Sequence, residues 1–173
     1  EITYQPGKLT VSQAKPEFEL RNLDQLNRVY DAKNTAPEAW TDSDGNMTVT
    51  IKKGSEILTE APMNAGTYTV EVHTEAGKNY EAGSQTFSFE IKKAPLSVKA
   101  VDQNVTVGDA IPEYTVLYEG FAGTDTADVL NGSLQFTCEY APDSAAGDYS
   151  ILPSGLTSGN YEILFENGTL HAV

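Results

Sequence analysis

The residues best placed to do chemistry are carboxylates. Asp42, Asp44 and Asn46 alternate around Gly45, and oxygen ligands spaced in that way about a sharp turn suit a hard cation such as calcium. A complete loop of that kind takes a bidentate Glu at its twelfth position, which here is residue 53, and Lys53 stands there. The stretch therefore reads as a hairpin turn. His73 and His171 are the only histidines and lie in different halves of the chain, so neither a His-rich metal site nor a His-based triad can be assembled within one half. Gly-x-Ser-x-Gly, P-loop and GxGxxG motifs are all absent from the sequence. Carboxylates are plentiful enough to offer glycosidase-like pairs by number alone, but in an acidic β-rich chain they read as solvated charge. The single cysteine, Cys138, cannot form an internal disulfide; it alternates with Leu134, Phe136 and Tyr140 on one strand face and reads as a core thiol. No catalytic, cofactor-binding or metal-ligating residue is assigned, no cofactor is expected, and the chain reads as a non-enzyme.

Something must position these groups, and composition bounds what it can be. The 173 residues carry 11 basic and 25 acidic side chains, a net charge of −14, with no basic run. Such a surface repels polyanions, so nucleic acid and anionic membranes are poor partners. No apolar stretch approaches the roughly 20 residues of a membrane-spanning helix, and direct membrane insertion is not expected. Nine Tyr, six Phe and one Trp suit strands, while 14 Gly and 8 Pro supply turns.

Those turns and strands recur. Asn64-Ala65-Gly66-Thr67-Tyr68 leads on to Asn79-Tyr80, and Ala145-Ala146-Gly147-Asp148-Tyr149 leads on to Asn160-Tyr161; both tyrosines return after 81 residues. The repeat divides the chain into two modules, 14–94 and 95–173, each all-β. Ahead of them, Glu1 to Val11 aligns without gaps on Glu162 to Ala172 and shares Glu, Ile, Gly and Leu with it. Residues 1–13 are accordingly expected to be the closing strand or strands of a preceding repeat, with Ile2, Tyr4, Leu9 and Val11 seeking the edge of a sheet. Within the modules, Pro37 to Trp40 and Met47 to Ile51 are expected to pair across the Asp42–Asn46 turn. Helical and extended readings of Leu23 to Tyr30 stay open. Thr124 or Asp125 is expected to cap one short helical turn. The repeated tyrosines, 68, 80, 149 and 161, read as core or corner positions, and the unrepeated Trp40 and Phe121 as the aromatics to test for an exposed binding face.

The second module, with Val107-Gly108-Asp109-Ala110-Ile111-Pro112, Tyr118-Glu119-Gly120-Phe121, Gly159-Asn160-Tyr161 and Phe165-Glu166-Asn167-Gly168-Thr169-Leu170, resembles the glycine-rich MBG repeats of large bacterial surface proteins. The first, with Val29-Tyr30-Asp31, the Asp-rich turn and the two Asn/Tyr motifs, resembles related Ig-like repeats with a Tyr-Asp-Gly signature, although Ala32 stands where the glycine belongs. The resemblance implies tandem Ig-like β-sandwiches, with a β-grasp arrangement of the second module as the rival fold. It implies an extracellular or cell-surface location, and adhesins are frequent among such proteins. It brings no shared catalytic or binding residues.

Three roles are left open by the residues. One is a stalk or spacer whose partners are the neighbouring repeats of the same chain. Another is a module binding a host or surface glycan or protein. The third is an accessory domain of a secreted polysaccharide-active enzyme. An exposed aromatic platform on one module would favour binding.

Overall fold

A computed structural model describes Thr3 and residues 7–173 of the chain. Strands dominate the described residues: β1 (Phe18–Leu20), β2 (Arg28–Val29), β3 (Ala39–Thr41), β4 (Met47–Lys53), β5 (Glu56–Leu58), β6 (Gly66–Thr74), β7 (Gly83–Lys92), β8 (Ala94–Ala100), β9 (Gln103–Val105), β10 (Val116–Glu119), β11 (Asn131–Thr137), β12 (Gly147–Thr157), β13 (Tyr161–Glu166) and β14 (Gly168–Ala172). One four-residue helix, α1 (Leu23–Leu26), and one 3-10 turn (Ala127–Val129) complete the elements. The modules are all-β sandwiches.

By contact the chain forms two compact units. Among the described residues the first comprises Thr3, 7–26, 35–62 and 67–89, and the second 27–34, 63–66 and 90–173.

In the first unit β1 and β3 form an antiparallel pair, with Glu19 opposite Trp40. A second sheet runs β7-β6-β4-β5. Its central strand β6 shows strict alternation: Tyr68, Val70, Val72 and Thr74 are buried while the residues between them are more exposed. That is the period-2 signature of a strand with one face on the core. Tyr68 stacks on Phe89 of β7, with ring centroids 5.2 Å apart. Leu20 and Leu26 add their side chains to the buried set of this unit.

The expected hairpin across Asp42–Asn46 does not form. β3 takes β1 as its partner, and β4 pairs with β5 and β6. The polar atoms of the turn bond to other segments, Glu17 and 75–79, rather than across it. The undecided stretch 23–30 is both things in succession: one helical turn, closed by Gln25 and Leu26 N–H groups on Asn22 O, and then the short strand β2.

The second unit is a sandwich of a three-stranded sheet, β10-β8-β13, and a four-stranded sheet, β11-β12-β14-β9. Its core gathers side chains from both: Ala100 of β8 meets Val105, Ile151, Leu170 and Ala172 of the other sheet, with Tyr140. Phe136, Cys138, Tyr114 and Tyr149 pack against this cluster, so the thiol faces the core while keeping partial exposure. Both sheets are mixed. β13 runs parallel to β8, and β14 runs parallel to β9 while lying antiparallel to β12. In the same unit β2 runs parallel to the end of β7, Arg28 opposite Ile91.

A β-grasp would lay a helix across one sheet. The segment expected to supply it holds only the 3-10 turn, preceded by Thr126, which makes no side-chain capping bond. Thr124 and Asp125 are not its caps: Asp125 is drawn instead into a tyrosine cluster.

Candidate functional site

Two acidic loops dock on the repeated Asn-Tyr pairs, one in each unit. In the first unit the loop is 42–46. Asp44 accepts hydrogen bonds from the backbone N–H of Lys78 (3.2 Å), the backbone N–H of Asn79 (3.0 Å) and the Asn79 amide (2.8 Å). Asp42 accepts the Glu17 N–H at 2.7 Å, and its negative charge is the first cause that holds the Tyr80 phenol above its ordinary ionisation range. The loop approaches 75–79 backbone to backbone: a Cβ on Gly45 would strike the Glu75 carbonyl, and one on Gly77 the Asp44 carboxylate. Glycine is required at both positions by close approach, not by a cation-binding bend. Both carboxylates of the loop are thus engaged by N–H donors, Asp42 by Glu17 and Asp44 by 78–79. Among the described residues no group of three His, Cys, Asp or Glu side chains could hold a metal ion.

In the second unit the loop is 122–125, closed by the Asp125 N–H on Ala122 O at 3.0 Å. Asp125 Oδ2 accepts two phenols, Tyr161 at 2.6 Å and Tyr30 at 2.9 Å. The Tyr161 hydroxyl in turn accepts the Ala122 N–H at 2.9 Å. Tyr30 and Phe121 both pack edge-on to the Tyr161 ring, at 5.4 and 5.5 Å. Burial, then the hydrogen bond to Asp125, pushes Tyr161 up to about 12 and raises Tyr30 in the same direction. Both phenols thus stay protonated donors at any physiological pH. A carboxylate held by two such donors in an aromatic box clamps the two phenols together.

Beside it, Asn160 accepts the Ala65 N–H through its side-chain oxygen (2.9 Å) and donates to Asn64 (3.0 Å). Ala32, where the Tyr-Asp-Gly signature would place glycine, has φ of 58°. The turn demands the left-handed region even without glycine, and the side chain is held there under strain.

The remaining candidates scatter. Trp40 is partly buried in β3 with the Arg21 guanidinium 4.9 Å above its ring. Phe121 lies between Tyr118 and Tyr161. His171 contacts Asp148 at 2.6 Å on the surface of the second unit, whereas His73 belongs to β6 of the first. Burial pushes the Tyr114 phenol above its ordinary ionisation range, and the neighbouring Cys138 adds to the shift. A groove of about 630 Å³ runs along β13 beside Lys92, Lys93 and Ser158, but the Lys93 ammonium is already bonded to Ser158 O at 2.8 Å.

Residues 96–171 match the family described as MBG domain (YGX type), and residues 22–95 match a second family described as MBG domain. The chain belongs to the MBG family as a tandem pair. The first MBG match falls on the stretch whose sequence suggested a Tyr-Asp-Gly repeat, and the YGX-type match on the second. MBG domains are repeat domains of surface proteins. No curated protein matches the chain. Among solved structures, Drosophila N-cadherin EC1-4 is similar at 10% identity with a TM-score of 0.30, over 93% of this chain and 50% of that one.

Within the MBG pair, Asp125 was not singled out as a tyrosine partner, though a signal existed. It stands 81 residues after Asp44, the offset that separates the repeated tyrosines, so the two acidic turns occupy equivalent places in their domains. Tyr30 carried no such signal, because its bond to Asp125 spans 95 residues of sequence.

Proposed function

We propose that the chain is a non-catalytic spacer segment of an extracellular bacterial surface protein, in which 14–94 and 95–173 are successive repeats whose partners are the neighbouring repeats. The observation that carries this reading is where the aromatic side chains go. Every described Trp, Tyr and Phe is buried or partly buried, and most of them pack on another ring or, as Trp40 does, beneath a cation. Glycan- and protein-binding faces commonly draw on aromatic surface offered to solvent, and here much of that surface is turned to packing within each unit.

The segment leading into each module is also pinned. Ala14 donates to Asn79 O and accepts the Glu81 N–H in the first unit, and Ala94 donates to Asn160 O in the second. A chain that opens each module with a bonded strand suits a role of position.

The test is titration of the whole chain against panels of surface glycans and matrix proteins, followed by Trp fluorescence and calorimetry, with hydrolysis of esters, peptides and glycosides assayed in parallel. No saturable binding and no turnover are expected. Binding abolished by Trp40→Ala or Phe121→Ala in a chain that still folds would replace the spacer with a binding module. Turnover abolished by one carboxylate substitution would make it a segment of an enzyme.

A further inference from the structure

Gly7 to Val11 repeats the residue pattern of β14, with Gly7 matching Gly168, Leu9 matching Leu170 and Val11 matching Ala172. The two copies have opposite environments. Leu170 and Ala172 are 0% and 3% exposed, while Leu9 and Val11 are 88% and 84% exposed. Gly168 is a glycine for a reason: a Cβ there would stand 2.6 Å from the Ala100 carbonyl oxygen. Gly7 keeps the glycine but has nothing within 4 Å of the same point. The segment therefore carries the three features of a slotted strand, two apolar residues on one face and a glycine for close backbone approach, without the slot.

Ala14, a few residues further along, strengthens the match. It bridges Tyr80 in parallel, just as Ala94 pairs in parallel with Tyr161. Residues 7–13 thus stand ahead of the first module where β7, the last strand of that module, stands ahead of the second. Among the described residues 7–13 no strand forms, so the sheet edge expected for this segment is not supplied there.

We infer that Gly7–Val11 is the closing strand of a preceding MBG-type module, inserting antiparallel to one of its strands and parallel to another, as β14 lies between β12 and β9. This rests on reading the chain as a repeat segment, but not on whether that segment is a spacer or a binder. Main-chain ladders on both sides supply affinity, and Leu9 and Val11 in the core supply register.

The test joins residues 95–161 directly ahead of Glu1 of the full chain, so that 1–11 stands where 162–172 stands in the second module. Hydrogen exchange of the Leu9 and Val11 amides is then compared with the original chain. Protection should rise by about a thousandfold or more as the added module closes. Leu9→Asp should abolish that protection and unfold only the added module, while leaving the melting temperature of the original chain unchanged. A second chimaera, with residues 95–173 placed ahead of Ala14, carries the native closing strand and checks that a module folds in that position. If it folds and the first chimaera does not protect Leu9, the inference is wrong. It is equally wrong if Leu9→Asp destabilises the original chain, or if Leu9 is already protected there by pairing between two copies. A glycan found to bind the chain would overturn the spacer reading and leave this result untouched.

Discussion

The two acidic loops hold the same repeated Asn-Tyr pair by different exchanges of partners. In the first unit Asp44 takes the donors of Asn79, and the half-buried Tyr80 feels Asp42 chiefly as a charge. In the second, Asp125 takes the phenol of Tyr161 directly and adds that of Tyr30, while Asn160 is released to Ala65 and Asn64. The shared spacing thus fixes where the aromatic ring and the loop meet, and leaves the polar pairing to burial. Tyr161 is 1% exposed, and a buried phenol needs a strong acceptor.

That difference can be broken most sharply at the carboxylates. Asp125→Ala leaves two buried hydroxyls without their acceptor and should lower the stability of the second unit by about 3 kcal/mol. Asp44→Ala, whose donors can turn to water, should cost the first unit about 1–2 kcal/mol. Denaturant melts of both variants check the order, and equal losses would show that burial does not distinguish the loops.

Alkali should separate the two tyrosines next. Both phenols of the clamp ionise near 10 in an unfolded chain, and Tyr161 is held up to about 12, with Tyr30 raised as well. Their folded values lie above the unfolded ones, so the stability they add is whole below about pH 10 and is lost as pH climbs toward 12. Tyr161→Phe should flatten that alkaline fall in 1 M salt as well as in dilute buffer. The shift at Tyr80, raised first by the charge of Asp42, should fade in salt. Spectrophotometric titration of Tyr161→Phe and Tyr80→Phe at both salt levels gives the comparison.

A smaller effect of opposite sign is expected at Ala32. Restoring the glycine of the signature relieves the left-handed strain, and Ala32→Gly should raise the stability of the second unit by about 1 kcal/mol after the entropy of glycine is counted. The smallest effect is that of calcium. With Asp42 and Asp44 bonded to backbone and amide donors, millimolar calcium should move the melting temperature no more than sodium at equal ionic strength. A rise of several degrees specific to calcium would show that the loop opens to bind it.

Much of the strand plan was legible because alternation survives in single segments: Tyr68, Val70 and Val72 in β6 and Phe89 and Ile91 in β7 mark their buried faces without help from the rest of the chain. Pairing was less legible. Asp42 to Asn46 has the composition of a hairpin turn, yet its backbone and carboxylates are claimed by Glu17 and by 75–79, and no local pattern announces partners so distant. The missing glycine at 32 was readable as a departure, but only the backbone angle shows that the position kept its demand after losing its residue. The clamp needed Tyr30 and Asp125 to be brought together across 95 residues of chain, and the shared 81-residue offset reveals only one of its arms.

The parallel ladders of the second unit have a consequence for tension. β9, near the start of that unit's main stretch, runs beside β14 at its end, with Gln103, Asn104 and Val105 opposite Leu170, His171 and Ala172, and the N–H groups of Val107 and Val173 extend the ladder. When neighbouring parallel strands are pulled apart by a load on the two ends of the chain, they slide along each other and every hydrogen bond between them is loaded at once. An antiparallel hairpin pulled at its open end would lose its bonds singly, in sequence. A module closed in this way is expected to resist stretching by the whole ladder together and to give way in a single step, read in force spectroscopy as one rupture of the module.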